Sequence, residues 1–403
     1  MINKTRVGIE KIGIYIPKDY INLSLLAEFR GVDPNKWKKG IGQENMSVMP
    51  KDQDVISMGA NSCLKILDDE DKNTIDQVIF ATESSVDFSK ASSTYIHKLL
   101  GIQPFAKSYE IKQACYSATA AIQLACDYVR LRPDRKVLII ASDVSKYGLK
   151  SSGEVTQGAG AISILISTNV KVMEISEETV SYTENSFDFW RPSFSDYPIV
   201  EGKYSTELYI DAFVKLVEEF NRRFPSSLDE LEALIYHLPF TRMGMKALLG
   251  LEEKIKDGSV SIAPELLEKK SIWERNYELS TEFAREVGNI YTGSLYLSLL
   301  SLLMNGNLQD GDKIGLFSYG SGAVAEFYTG VLAPNYKQYL YKEDVDYLLS
   351  RRHELTVEEY EDNYFQQSYI EDTGDIYNKE EDAEEGFYLE KIEGSKRYYK
   401  LKK

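Results

Sequence analysis

The feature that most limits what this chain can fold into is a repeat. Asp134-Arg135-Lys136-Val137-Leu138-Ile139-Ile140-Ala141-Ser142 resembles Asp310-Gly311-Asp312-Lys313-Ile314-Gly315-Leu316-Phe317-Ser318. Each run leads into a glycine-rich hairpin, Gly158-Ala159-Gly160-Ala161 in the first half and Gly320-Ser321-Gly322-Ala323 in the second. An apolar strand that ends at Glu83 would match one that ends at His237. A small-residue helix after Cys115 would match the apolar stretch Gly293 to Met304. Strands alternate with helical stretches throughout, the pattern of an α/β protein. A duplicated α/β unit brings strand ends together at its pseudo-twofold, where one site can draw on both halves. The boundaries read as 1–203, 204–333 and an acidic, tyrosine-rich appendage at 334–403 that packs on the body. The acidic run Glu380 to Glu385 reads as a solvated face.

With 403 residues the chain is long enough for two ordinary domains or one large duplicated one. A net charge of −16 argues against nucleic acid or an anionic membrane as the main partner. An anionic ligand would need locally placed Lys and Arg. Three cysteines without CxxC spacing suggest neither a disulfide framework nor a zinc site, and a reducing cytoplasm fits. Met1 to Gly8 has no apolar signal core, and the apolar stretch Gly293 to Met304 is too short to span a bilayer.

Cys115 lies in Lys112-Gln113-Ala114-Cys115-Tyr116-Ser117-Ala118, between the β-prone run Ser108 to Ile111 and a helical pattern. A thiol at a helix amino end has its thiolate favoured by the dipole and by unpaired N–H groups. A buried core cysteine is the competing reading. Of the three histidines, His97 reads as a satisfied helix residue and His353 as solvated. His237 ends an apolar strand, and its ordinary pKa suits proton transfer; a packed histidine bonded to a carbonyl reads equally well. Glu83 follows another apolar strand, where partial burial would raise its pKa and make it a base for a weakly acidic C–H. A capping or surface glutamate is the commoner case, and Asp87 reads as a loop or capping residue. The glycine turn Gly153 to Ala161 lacks dinucleotide-binding spacing.

Taken in order, Val32-Asp33-Pro34-Asn35-Lys36, Ala81-Thr82-Glu83-Ser84, Ala114-Cys115-Tyr116, Asp188-Phe189-Trp190-Arg191-Pro192, Tyr236-His237-Leu238-Pro239, Gly288-Asn289-Ile290-Tyr291-Thr292-Gly293 and Ser318-Tyr319-Gly320-Ser321-Gly322 resemble the hydroxymethylglutaryl-CoA synthases of bacterial type. These belong to the thiolase-like superfamily, and the resemblance runs from about Val7 to Leu332. It implies a thiolase-like fold, two βαβαβ halves in a layered αβαβα body, and a homodimer. It implies condensation of acetyl-CoA with acetoacetyl-CoA to 3-hydroxy-3-methylglutaryl-CoA, toward mevalonate and isoprenoids, with CoA thioesters as substrates and no metal or cofactor. Cys115 would be the acetylated nucleophile, Glu83 the base for the acetyl methyl proton, and His237 the group that polarises the acetoacetyl carbonyl. Asp33, Thr156, Ser205, Asn289 and Ser321 match substrate-contacting positions, and Lys246 matches a lysine near CoA. Arg242 and Met245 stand where relatives usually carry lysine; Arg242 can still meet phosphate and Met245 cannot.

Three other readings stay open. A polyketide-associated relative would take its acceptor on a carrier protein. An initiating β-ketoacyl synthase would gain its carbanion by decarboxylation and have no use for Glu83. A non-catalytic CoA-binding protein would have no use for the thiol.

Overall fold

The computed structural model describes residues 5–372 and 375–403, so Met1 to Lys4 lie outside it. Nine strands form one sheet, and their order exposes the duplication. From one edge they run Leu231–Tyr236, Lys313–Gly320, Val324–Leu332, Met173–Thr183, Gly8–Tyr15, Gly158–Ser167, Lys136–Ser145, Ile75–Ala81 and Lys107–Ile111. In each half a parallel pair is followed by a hairpin. Ile75–Ala81 lies parallel to Lys136–Ser145, which turns antiparallel into Gly158–Ser167. Leu231–Tyr236 lies parallel to Lys313–Gly320, which turns antiparallel into Val324–Leu332. Strand Met173–Thr183 pairs with Val324–Leu332, so in the sheet the second half begins at Met173 rather than at 204, and its first strand meets Gly8–Tyr15 antiparallel, Gly8 opposite Glu174. This is the thiolase-like α/β architecture.

The sequence chemistry explains the arrangement. Gly158–Ser167, GAGAISILIS, is buried at all ten positions, so it reads as a continuous small or apolar run rather than an alternating one. Helix Ser117–Leu131 presents Ala118, Ala121, Ile122 and Ala125 to the core. Its counterpart Ser294–Asn305 is buried from Ser294 to Leu303. Such a helix, apolar all round, can sit only between layers. Thr119 Oγ1 joins the two central helices to the sheet, 2.8 Å from Tyr296 OH and 2.8 Å from Ser318 Oγ.

The sequence reading needs one correction here. The pattern from Thr281 to Met304 suggests one continuous helix, but the structure breaks it into Glu282–Val287, a 3₁₀ turn at Tyr291–Gly293 and Ser294–Asn305. Gly288 causes the break, with φ +85° and a backbone bridge to Gly158. Asn289 then caps the new start: its Oδ1 accepts from Tyr291 N and Ser294 Oγ, each at 2.8 Å. The second half therefore has no counterpart of strand Lys107–Ile111 in this sheet.

Beyond Pro334 the chain wraps the first half. Helix Lys342–Ser350 is followed by a short strand, His353–Glu354, that joins a small sheet with Asp19–Asn22 and Asn45–Val48. Helix Val357–Asp372 buries Tyr360 and Tyr364 in a cluster with Ile21, Leu26 and Met46. A final sheet of Ile376–Tyr377, Gly386–Glu393 and Lys396–Lys402 is pinned to helix Val55–Cys63 through Asn61, which bonds both Phe387 N and Phe387 O. No described helix is long and apolar enough to cross a membrane.

A Cβ at Gly288 would lie 2.1 Å from the Gln157 carbonyl oxygen, in a backbone region that side chains rarely adopt. Gly288→Ala should lower the free energy of unfolding by more than about 2 kcal/mol, from left-handed strain plus a backbone clash. Chemical denaturation followed by circular dichroism measures it, and an unchanged midpoint would contradict this account of the break.

Candidate active site

Glu83 and Cys115 meet at the carboxyl ends of adjacent parallel strands. Ile75–Ala81 delivers Glu83 and Lys107–Ile111 delivers Cys115. The Cys115 Sγ donates to Glu83 Oε1 at 2.9 Å. The backbone enters this turn through Ala114 at φ +44°, an uncommon value for a residue with a side chain. Ser117 Oγ holds the turn, accepting from Gln113 N at 2.6 Å and donating to Ala114 O at 2.9 Å.

The electrostatics overturn one sequence expectation. The helix amino end does not make Cys115 a resting thiolate, because burial and the neighbouring Glu83 carboxyl push the thiol well above its ordinary value of 9.0. Helix Ser117–Leu131 starts two residues later, so its dipole is outweighed. Glu83 behaves as the sequence suggested. Burial first, then the charge of Asp143, raises it from 4.5 to about 8.

His237 ends strand Leu231–Tyr236 in the other half and is 2 % exposed. Its N–H donates to Phe317 O at 2.8 Å and its carbonyl accepts from Tyr209 OH at 2.6 Å. Burial lowers its pKa from 6.5 to about 3. This corrects the expectation of a histidine that titrates near neutrality: it stays a neutral imidazole, and its Nδ1 is buried without a partner. A neutral ring of this kind orients and polarises a ligand oxygen rather than exchanging charge with solvent. The strand beside it, Lys313–Gly320, carries its end against the cysteine turn, since a Cβ on Gly320 would lie 2.6 Å from Gln113 O. Gln113 Nε2 also reaches Ser321 O at 3.4 Å.

A residue not singled out from the sequence ties the halves together. Asp143 is fully buried at the end of strand Lys136–Ser145. Its Oδ1 accepts from Thr82 Oγ1 (2.8 Å), Glu83 N (2.8 Å), Ser84 N (3.1 Å) and Ser84 Oγ (2.9 Å). Its Oδ2 accepts from Thr292 N at 3.1 Å and Thr292 Oγ1 at 2.5 Å. Tyr147, Phe189 and Tyr291 form an edge-to-face trio with centroids 5.9 to 6.2 Å apart, beside Cys115 and Glu83. Arg191 Nη2 donates to Glu83 O at 2.9 Å. The only sequence signals for these groups are their places after apolar strands or within the quoted motifs.

The remaining expected site residues fall in less direct roles. Asp33 caps helix Pro34–Gly40 through Asn35 N. Thr156 Oγ1 donates to its local Gly153 O, and Ser205 Oγ donates to Asp188 Oδ2 at 3.3 Å. Asp188 also accepts from Tyr319 OH at 2.9 Å and Gly322 N at 2.9 Å. Arg242 precedes helix Met243–Lys256 and is exposed, and Lys246 Nζ lies 5.1 Å from the Phe240 ring centroid. Met245 packs against the core, where an aliphatic side chain is at home. His97 is satisfied by Gln103 O, and Asp87 caps Ser89 and Lys90.

The model of the hydroxymethylglutaryl-coenzyme A synthase N-terminal family matches residues 3–171, and that of the C-terminal family matches 175–257 and 249–402. The chain belongs to this synthase family. It is 49% identical to the hydroxymethylglutaryl-CoA synthase of Enterococcus faecalis, over 88% of this chain and 90% of that one. It is 30% identical to the polyketide biosynthesis 3-hydroxy-3-methylglutaryl-ACP synthase PksG of Bacillus subtilis, over 88% and 87%. A crystal structure of an HMG-CoA synthase complexed with CoA superposes with a TM-score of 0.91 at 44% identity, covering 98% of this chain and 100% of that one. Synthase members are condensing acyltransferases.

The Glu83 shift has a consequence for stability. Its folded value, about 8, lies above the ordinary 4.5, so the native state binds the proton more tightly across that window. Stability therefore falls as pH rises from 4.5 to about 8 on account of this group. Glu83→Gln should gain on the wild type over that range and match it at the acid end, as read from paired urea melts; a pH-independent difference would contradict the raised value.

Proposed function

We propose that this synthase condenses acetyl-CoA with acetoacetyl-CoA to give 3-hydroxy-3-methylglutaryl-CoA, through an acetyl group carried on Cys115. The contact between Cys115 Sγ and Glu83 Oε1 at 2.9 Å carries the reading, because it puts nucleophile and base within one proton transfer. The thiol passes its proton to the Glu83 carboxylate as sulfur attacks the acetyl carbonyl, and CoA leaves with that proton. Glu83 then takes a proton from the acetyl methyl. The resulting carbanion attacks the acetoacetyl ketone, which neutral His237 polarises, and Glu83 returns the proton to the new alkoxide. Water cleaves the Cys115 thioester and the product leaves with one CoA attached. The reaction so written uses no metal or redox cofactor.

Asp33, Thr156, Ser205, Asn289 and Ser321 are assigned to substrate contact, with Arg242 and Lys246 at the anionic part of CoA. In a chain of net charge −16, such local cations offset the surrounding field. Free acetoacetyl-CoA is favoured over a carrier-bound acceptor by 49% identity to the CoA enzyme against 30% to the carrier-dependent one. A homodimer is supported by strand Lys107–Ile111 lying at the sheet edge, with Phe105 nearly fully exposed two residues before it. The cytoplasm is supported by three free cysteines.

Glu83→Ala should acetylate Cys115 more slowly than the wild type, since the thiol has lost its proton acceptor, and the acetyl-enzyme that does form, found by peptide mass spectrometry, should condense about 10²–10⁴-fold more slowly. Condensation near the wild-type rate would remove the base from this scheme. In the wild type, condensation should climb with pH through about 8 as Glu83 ionises. His237→Ala should raise the acetoacetyl-CoA requirement more than it slows acetylation, as initial-rate kinetics would show.

A further inference from the structure

The reaction just described poses a problem of access. When the carbon–carbon bond has formed, the adduct is held by Cys115 at one end and by CoA at the other. The passage that admitted acyl-CoA is therefore still filled when water must arrive. A second approach to the catalytic pair is required, and the fold contains one.

A cavity of about 110 Å³ lies behind Glu83. Its inner wall is Glu83, Phe189 and Tyr291, and its outer wall includes Gln53, Leu389 and Arg397. Cys115, His237 and Asn289 do not line it, and neither do Asp33, Thr156, Ser205, Arg242 or Lys246. A buried water needs about 10–15 Å³ and two to four polar partners, so several waters fit. Polar groups are at hand: the Arg191 guanidinium spends one donor on Glu83 O, and Arg397 Nη1 meets Asp54 Oδ2 at 3.1 Å. The outer end is lined by Leu389 and Arg397 of the carboxyl-terminal sheet, where Tyr399 OH also bonds Asp54 Oδ2 at 2.7 Å. Glu83 thus stands between this cavity and the Cys115 sulfur.

We propose that this cavity is the water supply for the hydrolytic step, feeding Cys115 past Glu83 from the side opposite the acyl-CoA. The inference rests on the condensation assigned above. In the step, the water oxygen bonds the thioester carbonyl carbon and the carbon–sulfur bond to Cys115 breaks. One water proton passes by way of Glu83 to the sulfur, and the carboxylic acid formed loses its proton to solvent.

The test narrows the cavity at two further points of its lining, Val86 on the loop after Glu83 and Leu389 on the carboxyl-terminal sheet, with Val86→Phe and Leu389→Trp. Acetyl-enzyme is formed, acetoacetyl-CoA is added, and intact-protein mass is followed through one turnover. Each folded variant should acetylate within about twofold of the wild-type rate but retain the CoA-bearing adduct at least tenfold longer, in keeping with blocked water access. Leu389→Ala, which widens the cavity, should release product no more slowly than the wild type. Adduct lifetimes equal to wild type in both filled variants would overturn the proposal, as would a parallel loss of acetylation, which would mean that the wall only supports the Glu83 loop. Failure of the wild type to form any adduct would instead strike the condensation reading itself.

Discussion

The catalytic geometry depends on one buried carboxylate. Asp143 is an anion inside the protein, which is tolerable only because six donors surround it. Those donors belong to two loops far apart in sequence, Thr82–Ser84 in the first half and Thr292 in the second. One loop carries Glu83; the other carries Asn289 and Tyr291. Burial does most to raise the Glu83 pKa, and the same charge that fixes the Glu83 loop adds to it. Asp143 itself is pushed up to about 6 by burial, against the pull of its donors.

Neutrality is the second theme of the site. Cys115 rests as a thiol and His237 as an imidazole, so neither charge is spent before substrate arrives. A neutral ring with a buried unpartnered Nδ1 is ready to meet a ligand oxygen.

Much of this was legible in the sequence because it depends on strand ends. Apolar runs of four residues, Val78 to Ala81 before Thr82-Glu83 and Ala233 to Tyr236 before His237, announce buried strands that present polar groups at their tips, and the paired hairpins announce the duplication. What was not legible depends on contacts between segments far apart. Asp143 follows an apolar strand just as a capping residue would, and nothing nearby foretells that Thr292 will reach it. The break at Gly288 was hidden because apolar residues with helical spacing continue on both sides of it. The acidity of Cys115 was misjudged from local structure alone, since the helix start lies next to it in sequence but the opposing carboxyl comes from another strand.

The missing strand of the second half has a meaning of its own. The two copies of the ancestral unit have parted at one place, the segment that leads into the central helix. In the first copy that segment stays extended, reaches the sheet margin and leads to Cys115. In the second it folds inward, and the space a strand would occupy is given to Asn289 and the turn behind it. The two halves are thus no longer interchangeable parts. A molecule built from two identical copies of either half could keep the sheet order and the layers and still lack one side of this site, because Glu83 and Cys115 come from one copy and His237 and Asn289 from the other. The sheet keeps its twofold plan, and the difference at this segment sets the two strand ends apart in what they carry.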